Sequence, residues 1–378
     1  MLLSPADRAG STGSSGGVLT VDLGAIQRNY RRLVAQAGGA AVAGVVKADA
    51  YGLGVERVAP ALLEAGCRTF FVAHLTEALA LRPLLPDGAE LFVLNGLLPG
   101  DERLCAESGI RPVLNSLEQV AAWSALGLSL GRRLPAAIQV DSGMSRVGLA
   151  PQEVEALASD PARLAGVETV LVMSHLACAD EPDHPANAAQ LAAFETLAAR
   201  LPAARRSLAN SAGLFLDARF RFDLARPGIA LYGGAPNAVR PNPMEPVVRL
   251  EARVIQTREV PARAGIGYGF SVVADRPMRL ATLSVGYADG WLRSASNRGA
   301  VAFQGRRLPI VGRVSMDSII VEAGEAALAP GDLVDLIGPE ASLDAAAEAA
   351  GTISYEILTA LGHRYERRYL SANKGDRP

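Results

Sequence analysis

Three cysteines, Cys67, Cys105 and Cys178, are all that 378 residues contain, and no two stand at CxxC spacing. This excludes a disulfide scaffold and suits a reducing compartment. Four histidines, His74, His175, His184 and His363, are too scattered for a metal set, and Cys178 with His184 lacks the second pair that a zinc site needs. No metal is therefore expected. No basic run with interleaved aromatics occurs, and a formal net charge of −2 gives no global electrostatic case for nucleic acid or an anionic membrane. No apolar run approaches a membrane span. The opening MLLSPADRAGSTGSSGG lacks the basic start and apolar centre of a signal peptide. The expectation is a cytoplasmic protein with a disordered leader over residues 1–16. Its partners should be small molecules or a second copy, with no nucleic acid and no membrane.

Apolar residues are plentiful, 49% against 20% charged, and the length suits two domains. Asp22 can cap a helix whose apolar positions Leu23, Ile26, Tyr30, Leu33 and Val34 fall at three- and four-residue spacing. Eight short strand-like runs then follow: 41–46, 69–73, 90–94, 112–114, 136–140, 169–174, 206–209 and GIALY at 228–232. Helical segments lie between them. Residues 116–127 open on Ser116 with Gln119 three places on and close before Gly127, 55–65 stop at Gly66, and 187–201 are rich in Ala and Leu. Runs buried on both faces and alternating with helices make a parallel sheet. Eight such units predict a (β/α)8 barrel over 17–243, with an open doubly wound sheet as the alternative. From 244 to 370 strand-like runs separated by Gly, Pro and Asp predict a mostly β domain, with helices only at 341–350 and 353–362. A loose tail is expected over 371–378.

Barrel chemistry gathers at the C-terminal ends of strands. Lys47 ends the first run, in VVKADAYGLG, where a lysine is costly to bury unless paired, neutralised or modified. Alone it would read as a rim lysine. Yet Arg146 follows the fifth run in DSGMSRVG, His175 the sixth, and Asn210 and Ser211 the seventh in LANSAG. Arg226, Gly228 and Ile229 bracket the eighth in ARPGIALYGG. Ser211 and the Gly228–Ile229 backbone lie where barrels commonly bind phosphate.

VVKADAYGLG, DSGMSRVG, ANSAG, RPGIALYG, GYGFS, VGYADGW, GRVSMD and TISYE occur in this order and resemble the segments of bacterial alanine racemases, from about residue 17 to 362. The resemblance implies a fold-type III pyridoxal 5′-phosphate enzyme that interconverts L- and D-alanine, for peptidoglycan, as a head-to-tail homodimer with shared sites. It implies that Lys47 carries the cofactor as a Schiff base. Tyr51, Ser211, Gly228, Ile229 and Tyr355 would contact its phosphate, and Asn210 would line the same site. Arg226 would face the pyridine nitrogen, Arg146 the phenolic oxygen, and His175 would lie beside Arg226. Tyr268, from the β domain of the other subunit, would be the second acid–base. Arg146, Met316 and Tyr287 would hold substrate. Asp180, Arg293, Arg313 and Ile353 would line the entrance, narrowed by Tyr268 and Tyr355. Two bases on opposite faces of Cα suit racemisation, and a permanently charged guanidinium at the ring nitrogen disfavours a second positive charge there.

One departure from the family pattern stands out. Many members carry a carbamylated lysine seven residues before the arginine matching Arg146, and this chain has Gln139. A chloride between Gln139 and Arg146 is the expectation. The alternatives are a broad-specificity racemase, a fold-type III decarboxylase, which Arg226 argues against, and a non-catalytic pyridoxal phosphate carrier, which would need neither the β domain nor Tyr268.

Overall fold

A computed structural model describes residues 15–237 and 241–371. The chain divides into two compact units, residues 24–245 and residues 1–23 with 246–378. Residues 1–14 of the expected leader, and the expected tail after 371, lie outside the described residues. Ser15 and Gly16, expected within the leader, are tied into the second unit. Ser15 Oγ donates to Gly17 O at 2.6 Å and accepts from Glu366 N at 3.2 Å, and Gly16 O accepts from Arg253 N at 2.9 Å. Strand β1 (Gly17–Asp22) also belongs to that unit and is described with it below.

Helix α1 (Leu23–Ala37) buries Ile26, Tyr30 and Leu33 and leaves Val34 exposed. The barrel elements follow in order: β2 (Ala41–Val42), β3 (Gly44–Val45), α2 (Lys47–Gly52), α3 (Val55–Glu64), β4 (Thr69–Val72), α4 (Leu75–Leu81), β5 (Glu90–Val93), α5 (Glu102–Glu107) and β6 (Arg111–Leu114). Then come α6 (Leu117–Ser129), β7 (Leu134–Gln139), α7 (Pro151–Ser159), β8 (Val167–Met173), α8 (Pro185–Ala198), β9 (Arg205–Ser207) and β10 (Leu224–Ala225). Strands β3 to β9 pair in sequential order, all parallel, and β10 pairs parallel with β2. The N–H of Arg226 donates to Ala209 O at 2.9 Å, and Ala43 N to Ala225 O at 2.9 Å, so β10 joins both edges. The sheet therefore curls into a barrel and does not stay open.

Two sequence-based assignments need correction. GIALY is no strand: Ile229–Tyr232 is a single 3-10 turn, and the eighth strand is β10, just before it. All four turn residues are buried, and a short buried apolar run cannot be told from a strand by periodicity. Helix α6 is capped by Ser116, whose Oγ accepts from Gln119 N, but it runs through Gly127 to Ser129. Gly127 marks a close approach, because a Cβ there would stand 2.2 Å from Gly166 O.

The second unit comprises β11 (Val248–Val260), β12 (Gly265–Ile266), β13 (Val272–Val273), β14 (Met278–Leu283), β15 (Ala300–Phe303), β16 (Arg306–Pro309), β17 (Ile319–Glu322) and β18 (Leu333–Ile337). Helices α9 (Leu343–Ala350) and α10 (Ser354–Ala360) and strand β19 (Glu366–Leu370) complete it. Its main sheet runs β16-β15-β18-β11-β1-β19, and β14 pairs with β11 and carries β17. β1 lies antiparallel to β11 and parallel to β19. Neither β1 nor β19 is evident in the sequence, because each pairs with strands far away along the chain. Among the described residues no helix is long and apolar enough to cross a membrane.

Candidate active site

Lys47 is half-buried and is the first residue of α2, at the C-terminal end of β3. The turn it opens is left-handed: Ala48, Asp49, Ala50 and Tyr51 have φ of 52, 54, 54 and 57°. Each such residue costs roughly 1–2 kcal/mol, so a run of four persists only where its surroundings over-determine it. Ala50 N donates to Val46 O at 2.9 Å, Gly54 N to Asp49 O at 3.0 Å and Val55 N to Asp49 Oδ1 at 2.7 Å. From outside the turn, Glu77 Oε1 accepts the Ala48 N–H at 2.6 Å. The turn carries the Tyr51 ring against Tyr232, with centroids 4.6 Å apart, while the Tyr232 hydroxyl donates to Val45 O at 2.9 Å. The Tyr51 hydroxyl reaches Gly228 on the adjoining strand end, where a Cβ would lie 2.0 Å from its oxygen. A side chain there would have to displace the Tyr51 ring.

Ser211, buried after β9, accepts the backbone N–H of Gly228 at 2.9 Å and of Ala230 at 3.3 Å. A hydroxyl has two acceptor sites and one hydrogen. With both acceptor sites filled, Ser211 can only donate to a ligand, as an anion such as phosphate requires. Asn210 beside it uses Oδ1 to hold Gly213 N at 2.9 Å.

Arg226, only 4% exposed, donates to Ser207 Oγ and, at 2.5 Å, to Ser174 O, both neutral groups. Burial pulls its pKa down to about 9, so it remains charged at neutral pH. His175 is held down to about 3 by burial first, then by Arg226, Arg146 and Lys47, and is neutral at physiological pH. Burial likewise depresses Lys47, with Arg146 acting the same way and Glu77 opposing. Arg146 itself is exposed, on a loop that Asp141 ties by accepting the N–H groups of Gly143, Met144 and Ser145. Gln139 at the end of β7 is buried and donates to Val147 O at 3.3 Å. The strand ends thus bring Lys47, Arg146 and Arg226 within electrostatic reach of His175, and Arg146 within reach of Lys47, near a serine hydroxyl left to donate to an anion. Asp180 is exposed in the segment before α8. His184 Nδ1 caps α8 by accepting Ala186 N at 3.1 Å.

The remaining expected residues lie on the second unit. Tyr268 stands in a 3-10 turn between β12 and β13, 70% exposed. Arg313 packs beside that turn, its Nη1 3.2 Å from where a Cβ on Gly269 would lie. Tyr287 N donates to Ser315 O at 3.0 Å and Ala288 N to Met316 O at 2.9 Å, which places Tyr287 next to Met316. Tyr287, Met316, Ile353 and Tyr355 are exposed, as are Arg293 and Arg313. Glu77 and Tyr232 are not singled out by the sequence: Glu77 belongs to no motif, and Tyr232, inside RPGIALYG, reads as part of an apolar run.

A closed parallel barrel with a strand-end lysine, a buried charged arginine and a donor-only serine hydroxyl defines an α/β-barrel enzyme for an anionic ligand. Comparison with known proteins makes this specific. Residues 21–236 match the family Alanine racemase, N-terminal domain, and residues 247–369 match Alanine racemase, C-terminal domain. The catabolic alanine racemase of Agrobacterium fabrum is 56% identical over 366 residues, 96% of this chain and 94% of its own length. Alanine racemase of Brucella canis is 52% identical, over 96% of each chain. The crystal structure of alanine racemase from Bartonella henselae with covalently bound pyridoxal phosphate shares 46% identity at a TM-score of 0.91, covering 94% of this chain and 100% of that one. The chain belongs to the alanine racemase family and is an isomerase. This bears out the resemblance read from the motifs, and it sets aside the decarboxylase and the single-barrel carrier.

Proposed function

We propose that this chain interconverts L- and D-alanine with pyridoxal 5′-phosphate on Lys47, using Lys47 and Tyr268 as bases on opposite faces of the substrate Cα. The observation that carries the reading is the Ser211 hydroxyl, which the N–H groups of Gly228 and Ala230 leave able only to donate, near the turn that Lys47 opens. When bound, the cofactor supplies the electron-withdrawing ring that loosens the Cα proton. The residues supply the rest. Tyr51, Ser211, Gly228 and Ile229, with Tyr355, would hold the cofactor's phosphate, and Asn210 would shape the same loop through its bond to Gly213 N. Lys47 Nζ takes or returns a proton at Cα, and its depressed pKa suits it to do so as a free amine. Tyr268 Oη serves the opposite face. Neutral His175 can accept a hydrogen bond from Tyr268, and the charge of Arg226 would disfavour a proton on the ring nitrogen of a bound cofactor. Arg146, Met316 and Tyr287 orient the carboxylate. Asp180, Arg293, Arg313 and Ile353 line the entrance and favour alanine over larger amino acids, the point that separates this reading from a broad-specificity racemase.

The exposure of Tyr268, Met316, Ile353 and Tyr355 supports a head-to-tail homodimer in which one protomer's second unit completes its partner's barrel site. Lys47→Ala and Tyr268→Phe should each abolish racemisation. Refolding the two together should restore up to about a quarter of wild-type activity, because half the random dimers carry one intact site. No recovery on mixing would refute the shared site. Chloride is proposed between Gln139 and Arg146, and a bromide-soaked crystal lacking anomalous density there would contradict it.

The proposed setting is cytoplasmic, with D-alanine passing to peptidoglycan. A second reading, consumption of alanine as a nutrient, draws support from the two relatives at 56% identity that are named catabolic. Deletion separates them: D-alanine auxotrophy supports the first, and failure to grow on alanine without auxotrophy supports the second.

A further inference from the structure

Glu77 is not among the residues assigned above, yet it is the outside anchor of the left-handed turn that joins Lys47 to Tyr51. Its Oε1 accepts the N–H of Ala48, the residue after Lys47, at 2.6 Å. Its Oε2 accepts the N–H groups of Ala73 at 2.7 Å and His74 at 3.1 Å, where β4 gives way to α4. One carboxylate thus ties the Lys47 turn to the end of the neighbouring strand, and charge makes these bonds strong. A clamp of this kind holds two groups in register: the Lys47 side chain at one end of the turn and the Tyr51 hydroxyl at the other, against Gly228.

We propose that Glu77 is a positioning residue for the reaction, its carboxylate fixing the turn that delivers the Lys47 amine and the Tyr51 hydroxyl together while setting a negative charge within reach of that amine. The proposal rests on the cofactor reading of Lys47 and Tyr51. The groups that act on the Lys47 amine are Arg146 from the loop after β7 and Glu77 from α4, with His175 after β8 within its electrostatic reach and Asp49 two residues along the same turn. Arg146 disfavours the charged amine, and Glu77 opposes it.

Two replacements divide the clamp from the charge. In Glu77→Gln an amide NH2 faces one of the backbone donors and the charge is gone. Glu77→Asp keeps the charge but is too short to span both sets of N–H groups. In the purified holoenzyme, Glu77→Gln should lower kcat about tenfold or more with KM changed less than about threefold, as expected of misplacement. It should also move the midpoint of the pH titration of the bound cofactor's visible band to lower pH. Glu77→Asp should show the kcat loss with the midpoint near wild type. Wild-type kcat and midpoint in Glu77→Gln would overturn the proposal, as would loss of thermal stability alone with neither readout changed. If Glu77→Gln does not fold, a full wild-type kcat in Glu77→Asp overturns it. Wild-type protein with no visible band and no borohydride label at Lys47 would instead bring down the cofactor reading, and this proposal with it.

Discussion

At the scale of single residues, the site is defined by what each group can no longer do. Ser211 has no acceptor site left, Arg226 pairs with no carboxylate among the described residues, and His175 is kept neutral by burial and by the cations around it. Gly228 is the sharpest case, because its missing side chain is the space that the Tyr51 hydroxyl enters. Gly228→Ala should force Tyr51 aside at about 1–3 kcal/mol, roughly a ten- to hundredfold weaker hold on pyridoxal phosphate. Titrating the apoprotein with cofactor by visible absorbance would measure it, and an unchanged affinity would place Tyr51 elsewhere. The motifs reveal Lys47, Ser211 and Gly228 because each breaks an apolar run at a strand end. They do not reveal Tyr232, which lies inside such a run and reads as core, nor Glu77, which reads as an ordinary solvent-facing helix residue.

At the scale of elements, the turn after Lys47 departs furthest from what its residues prefer. Ala, Asp, Ala and Tyr are ordinary right-handed residues, and only Gly52 and Gly54 next to them hint at positive φ. Tertiary contacts impose the left-handed form, so local propensity could not have shown it. Ala48 is exposed, so little packing is lost if it becomes glycine. Ala48→Gly should stabilise the protein by about 1 kcal/mol, and Ala48→Val should destabilise it by more, both read from urea midpoints. A lower midpoint for Ala48→Gly would argue against strain in the turn. The same principle explains GIALY: its amides bond to Ser211, so a run with strand composition closes into a 3-10 turn.

At the scale of the molecule, the barrel has a functional end and a structural one. Opposite the site, at the N-terminal ends of the strands, Glu90 on β5 accepts from Thr69 Oγ1 on β4 at 2.9 Å, from Arg111 on β6, and from Arg205 on β9 at 2.7 and 2.9 Å. Since β5 and β9 are not neighbours in the sheet, this is a tie across the barrel. Burial alone would raise the Glu90 pKa, but the Arg205 hydrogen bond and the charges of Arg111 and Arg205 more than offset it and hold the carboxylate low. Its contribution is therefore complete above the unfolded carboxylate range and is lost as pH falls through the depressed folded value. Glu90→Gln should cost about 2 kcal/mol at pH 7, with racemase activity per folded molecule unchanged. The Tm difference from wild type should shrink toward zero as the pH is lowered through the acid range. A difference independent of pH would mean that the ion cluster is not its source.

The sequence by itself determined a parallel α/β unit, the β domain after it and the strand-end lysine, because alternating buried runs and helices allow few folds and a polar residue ending an apolar run must be accounted for. It also carried the family, through ordered motifs spread over nearly the whole chain. Only the tertiary structure decided that β10 and not GIALY closes the barrel, that β1 joins the second unit, and that Lys47 opens a left-handed turn held by Glu77. Each depends on hydrogen bonds between residues far apart in the chain, and no local pattern of polarity encodes those.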